Sequence, residues 1–145
     1  MRFMVIIKST PESEKEGPRP DTQFFADMGK YNEELIKAGI VLAMDGLQPS
    51  SKGARVKFSG KSCTVVDGPF TEAKELVAGF WIWQVKSLEE AIEWVKRCPH
   101  PHDADSEIEI RQVGEMEDFA PILTEEEIQY KVAKRAQLPN QTVNK

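Results

Sequence analysis

Between Asp67 and Phe80 the chain reads D-G-P-F-T-E-A-K-E-L-V-A-G-F, and its polar side chains are spaced for proton chemistry. Asp67 opens an Asp-Gly-Pro turn, and Glu72, Lys74 and Glu75 follow within a few residues. In an extended chain Glu72 and Lys74 share a face; in a helical turn Glu72 and Glu75 do. Either arrangement can set a carboxylate and an ammonium near Asp67, and a carboxylate with a charged neighbour is tunable as an acid or a base. The same residues also suit a plain solvated turn. There Asp67 accepts backbone N–H groups two or three residues on, Gly68 permits positive φ, Pro69 fixes its own φ and Phe70 plugs into the core. Asp67 is thus the candidate catalytic residue, with Glu72, Lys74 and Glu75 as candidate ligand contacts. Spacing alone leaves the structural reading open beside it.

Further groups extend the candidate site. Glu109 and Arg111 lie two apart, on one face of a strand. If that face lines a cavity, Arg111 anchors an anionic group, because its planar fork matches carboxylate or phosphate. A surface ion pair across strands is the alternative. Trp81 and Trp83 share a strand face and fit either an aromatic wall for a flat ligand or a core or dimer interface. Trp81 joins Glu109 and Arg111 as a candidate ligand contact. The run His100-Pro101-His102-Asp103-Ala104-Asp105 holds donors that zinc accepts. No other ligand cluster accompanies it in the sequence, so no metal is assigned and no cofactor is expected. His100 could instead act as a base if its loop folds over a cavity. No nucleophile elbow, phosphate loop or dinucleotide fingerprint occurs.

The elements that must position these residues follow from periodicity. Arg2 to Lys8 reads as a strand with both alternating sets apolar, which requires cover on both faces. Thr10 to Asp21 is a long loop, and Thr22 to Ala38 a helix with Phe24, Met28, Tyr31 and Leu35 on one stripe. Gly39 suits the left-handed residue that ends such a helix. Ile40 to Met44 is a short strand. Ala54 to Ser59 and Ser62 to Val66 form a hairpin around Gly60-Lys61. Leu76 to Lys86 is the most apolar strand. Ser87 to Arg97 is a helix with Ser87 and Glu90 at capping-box spacing and a stripe of Leu88, Ala91, Ile92 and Val95. Glu107 to Val113 is the last strand. An acidic linker follows Gly114, and Thr124 to Ala136 is a helix that opens on Thr124 and Glu127, again at capping-box spacing.

This order predicts an α+β ferredoxin-like sandwich with an inserted hairpin, an antiparallel sheet and two helices on one face. The second apolar face of the sheet then needs its own cover. A second copy of the chain, packed sheet against sheet, is the expected cover, and the C-terminal helix is the competing one.

Composition narrows the partners. The chain has 145 residues and a net charge of -5, with no basic stripe, which argues against nucleic acid. The first eight residues are apolar for too short a stretch to be a signal peptide or a membrane span. Cys63 and Cys98 form neither a metal spacing nor a disulfide framework, so a cytoplasmic location and no membrane partner are expected.

The Asp67–Phe80 segment resembles the YCII-related family in its DGPF branch, whose pattern D-G-P-F-x-E-x-K-E-x-x-x-G-[FY] is filled here by Asp67, Gly68, Pro69, Phe70, Glu72, Lys74, Glu75, Gly79 and Phe80. The likeness continues through Trp81-Ile82, Ser87 to Ala91, Cys98-Pro99 and Ile108 to Arg111, and covers about residues 1–119. Residues 120–145 are left as a C-terminal helix and tail. The resemblance implies a ferredoxin-like domain that pairs as a dimeric α+β barrel. The family's fold relatives include small isomerases and monooxygenases that work in the barrel cavity without a metal. A small organic molecule in a cavity of the dimer and metal-independent acid–base chemistry are therefore expected, with an anionic ligand where Arg111 is its anchor. Whether the chain is an enzyme is left open. The histidine of the His–Asp pair proposed for some short relatives has no counterpart, since no histidine precedes His100. The branch also occurs beside extracytoplasmic-type sigma factors, which implies a non-catalytic regulatory or accessory role as the alternative.

Overall fold

The computed structural model describes residues 1–17, 22–100 and 105–139. It divides into two compact units, Met1–Gln112 and Val113–Lys145. The first contains β1 (Arg2–Lys8), α1 (Thr22–Lys37), β2 (Val41–Gly46), β3 (Ala54–Ser59), β4 (Ser62–Asp67), β5 (Val77–Gln84), α2 (Leu88–Lys96) and β6 (Ile108–Gln112). Four strands make one antiparallel sheet in the order β2-β5-β1-β6, and β3 pairs with β4 in a separate hairpin. The α+β architecture and the place of the hairpin agree with the reading of the sequence.

The two-sided apolar pattern of β1 sets the register. Phe3 pairs with Trp83 and Val5 with Trp81 on β5, while Val5 pairs with Ile110 on β6. A slip of one residue would exchange the two faces of the strand, so burial of Phe3 and Val5 holds the alignment. Tyr31 and Leu35 of α1 and Ala91 of α2 join Phe3, Val5, Trp81, Trp83 and Val85 in the core, with Trp94 and Val95 packed against them. Full burial of a side chain such as Phe3 or Leu35 contributes about 1.5–3 kcal/mol. Within α2 the expected stripe shifts: Leu88 and Ile92 stay exposed, and Trp94 takes a core position instead.

The helix ends follow local chemistry. Gly39, at φ 73°, closes α1, where the Ile40 N–H reaches the Leu35 carbonyl at 3.3 Å. Ser87 caps α2 by accepting the Glu90 N–H at 3.1 Å. Glu90 reaches back to the Lys86 N–H at 2.8 Å, one residue before the position a standard capping box uses.

The second unit holds α3 (Met116–Phe119), a 3-10 turn (Ala120–Ile122) and α4 (Glu125–Ala136). Thr124 and Glu127 make the expected reciprocal cap on α4. The stretch read as an acidic linker is instead helical. Glu115 and Asp118 form a capping box of their own, with the Glu115 N–H donating to Asp118 at 2.8 Å. No helix among the described residues is long and apolar enough to cross a membrane.

Candidate functional site

The Asp-Gly-Pro-Phe turn is anchored by two other segments of the first unit. The Gly68 N–H donates to the Gly53 carbonyl at 2.9 Å. The Phe70 N–H donates to the Ser50 hydroxyl at 3.0 Å. Ser50 belongs to a 3-10 turn, Ser50–Lys52, and its hydroxyl in turn donates to the Glu14 carboxylate. The Ser50 N–H reaches the two oxygens of that carboxylate at 3.3 and 3.2 Å. Next to it, Ser51 donates to Glu16 at 2.6 Å. Three segments distant in sequence are thereby tied together through one serine.

This geometry corrects the reason for the glycine. Gly68 is not among the positive-φ glycines, which are Gly17, Gly39 and Gly60. A Cβ on Gly68 would lie 1.7 Å from the Ser50 carbonyl oxygen, so close approach of the two backbones excludes any side chain. Phe70 is half-buried, with the Arg55 guanidinium 3.9 Å from its ring centre.

Asp67 ends β4 opposite Ala54 and is exposed. Its carboxylate has no hydrogen-bond or ion-pair partner among the described residues. Glu72 precedes a short 3-10 turn, Ala73–Glu75, which carries Lys74 and Glu75. All three charged side chains are exposed and none pairs with Asp67. That turn leads into β5, and the Ser9 N–H at the end of β1 donates to the Leu76 carbonyl at 2.9 Å.

The remaining candidates separate by sheet face. Arg111 pairs with Met4, and Glu109 with Ile6. On β5 the opposite numbers of Met4 and Ile6 are Ile82 and Phe80. Met4, Ile6, Phe80 and Ile82 are half-buried and stand outside the core cluster, whereas Glu109 and Arg111 are exposed. Trp81 lies on the other face, 3 % exposed, with its indole N–H donating to Asn32 Oδ1 at 2.9 Å. Trp81 and Trp83 pack with ring centres 5.7 Å apart, tilted by 38°, within the core. The sheet therefore brings Glu109 and Arg111 together beside an apolar strip and keeps both tryptophans behind it.

Perturbed acidity sits in the core. Burial pushes the Tyr31 phenol up, and the neighbouring Cys98 thiol adds to the shift. Burial likewise pushes Cys98 up to about 12. Tyr31 donates to the Trp94 carbonyl at 2.7 Å, so it is spent on structure.

Of the loop proposed for a metal, His102 and Asp103 lie outside the described residues. Among the described residues, no group of three potential ligands gathers. A cavity of about 300 Å³ lies beside the Glu14–Ser50 junction and is lined by Lys15, Glu16, Gln48, Pro49 and Lys52 among others; none of the sequence-derived candidates lines it. Glu14, Ser50 and Asn32 are the polar residues that sequence reasoning missed. The unusual length of the loop from Thr10 to Asp21 was the signal that pointed toward Glu14.

The fold and the turn define an α+β protein in which a separate hairpin falls, in chain order, between two strands of a four-stranded sheet. The chain belongs to the YCII-related domain family, whose model matches residues 1–117. An uncharacterized protein of Rhizobium meliloti (strain 1021) is 26% identical over 94 residues, 65% of this chain and 76% of that protein. A solved structure of 5-chloro-2-hydroxyhydroquinone dehydrochlorinase from Burkholderia phenoliruptrix AC1100, in complex with 2,5-dihydroxybenzoquinone, aligns over 79% of this chain and 96% of its own, with 19% identity and a TM-score of 0.41. A likeness at that level carries no functional assignment.

Proposed function

We propose that the chain is a cytoplasmic small-molecule-binding protein that works as a homodimer. The two copies meet through the sheet face of Met4, Ile6, Phe80 and Ile82. A small anionic organic molecule is held at that face, with Arg111 as its anchor, Glu109 beside it and Asp67 as the candidate proton carrier. The observation that carries the reading is the register of β1 with β6, which sets Arg111 and Glu109 beside Met4 and Ile6. An exposed guanidinium at the rim of an apolar strip suits an organic anion, because the strip takes the carbon skeleton and the fork takes the charge. Both helices contribute their buried residues to the opposite side, so this face is the part of the sheet that gains most from a second copy.

A thermal-shift screen with small carboxylic and enol-type acids tests it. A ligand is expected to stabilise the native chain, to lose that effect on Arg111→Ala and to keep part of it on Asp67→Asn. If no acid stabilises the native chain, or both variants respond as it does, the site is wrong. Light scattering tests the pairing, and a stable monomer at micromolar concentration overturns it.

A further inference from the structure

The β3–β4 hairpin carries an apolar face that the described chain leaves in water. Val56 pairs with Val65 and Phe58 with Cys63, so alternation places all four on one face, with Ala54 and Asp67 at its base. Val56 is 50 % exposed, Phe58 82 % and Val65 64 %, and Cys63 is exposed as well. The opposite face holds Arg55, Lys57 and Thr64. Arg55 lies over the Phe70 ring, and Val66 on that face is half-buried. The hairpin thus meets its own chain through the polar side and turns the apolar side away. A two-stranded hairpin is marginal alone in water, so cover for that face would stabilise it.

Charge selects the cover. The hairpin, residues 54–67, holds Arg55, Lys57 and Lys61 against one acidic residue, Asp67. With -5 on the whole chain and +2 on this segment, the remainder carries -7. An apolar face on a basic arm fits an acidic body, and a second copy of this chain supplies one.

We infer that the hairpin is an exchanged arm, docking its Val56, Phe58, Cys63 and Val65 face on the acidic body of a second copy. Asp67 stands on the same face and travels with it, so each site draws its candidate proton carrier from the other copy. The inference rests on the homodimer proposed above. Four side chains cover much less than the ~800 Å² per partner of a standard interface, so the arm extends a larger contact.

Photo-crosslinking tests the arm directly. p-Benzoyl-phenylalanine in place of Phe58 is expected to give a product of twice the chain mass on irradiation. Phe58→Asp is expected to weaken self-association about tenfold or more in sedimentation equilibrium. Its circular dichroism should stay native, because the side chain is exposed, and Thr64→Ala on the polar face should leave association unchanged. An internally linked product of single mass, or no product, from a chain that still sediments as a dimer overturns the arm and leaves the dimer standing. Undiminished association of Phe58→Asp does the same. A native chain that is monomeric at micromolar concentration overturns arm and dimer together. Double-mass product combined with unaltered ligand binding by Arg111→Ala supports the arm and overturns the site alone.

Discussion

The Ser50 hydroxyl accepts the Phe70 N–H at 3.0 Å and donates its own O–H to the Glu14 carboxylate. One side chain thereby holds the Asp-Gly-Pro-Phe turn to the loop after β1. Ser50→Ala removes an acceptor and a donor at a part-buried junction, and is expected to cost about 1–3 kcal/mol in urea denaturation. Glu14→Gln keeps an acceptor oxygen for Ser50 and should cost less. A native urea midpoint for Ser50→Ala would show that the junction carries no stability.

Gly68 approaches the same turn from the other side. An added methyl would lie 1.7 Å from the Ser50 carbonyl oxygen and 2.6 Å from its carbon. Backbone, not a flexible side chain, would have to move. Gly68→Ala is therefore expected at or above the top of the ~1–3 kcal/mol range for overpacking. Gly60→Ala meets open space but sits at φ 59°, and is expected to cost about 1–2 kcal/mol. Thermal melts of the two variants should rank in that order; the reverse order would rule out the close approach.

What the sequence disclosed and what it hid divide by the range of the interaction. Alternation along residues 3–7 and 77–85 gave the strands and their two apolar faces, because strand parity is local. The Gly39 terminator and the Thr124 cap were legible for the same reason. The Glu115–Asp118 cap was just as local, but it lies in an acidic run where the hydrophobic period is too short to mark a helix. Parity could not relate one strand to another. Only the pairing of Val5 with both Trp81 and Ile110 puts Arg111 on the face opposite Trp81. The role of Gly68 was hidden because its neighbour Ser50 is a tertiary contact, and Asp-Gly already has a sufficient local explanation in turn propensity.

Asn32 supplies the acceptor for a tryptophan in the core. Trp81 is almost fully buried, and its indole N–H reaches Asn32 Oδ1 at 2.9 Å. Asn32→Ala leaves that donor without a partner in a region water enters poorly, at an expected cost of about 1–3 kcal/mol. The near-ultraviolet circular dichroism of the aromatic cluster should change with it. An unaltered spectrum and melting temperature would mean that another group satisfies the indole.

Cys98 links the packing of the core to alkaline pH. Burial raises its thiol from 9.0 to about 12. Between those values the unfolded chain releases this proton while the folded chain keeps it, so the free energy of unfolding falls as pH rises. The contribution is intact below pH 9.0 and is lost progressively toward pH 12. Tyr31 is raised for the same reason from its ordinary value of 10.0 and adds a second loss that begins higher. Urea denaturation of the native chain should accordingly show stability falling from about pH 9, whereas Cys98→Ala should begin to fall only near pH 10. The slope, rather than absolute stability, is the readout, because the substitution also removes a packed sulfur. Thiol labelling gives an independent check: at pH 8 the exposed Cys63 should react first and the half-buried, high-pKa Cys98 much more slowly until the chain unfolds. Equal slopes between pH 9 and 10 in the two proteins would sink the buried-thiol explanation.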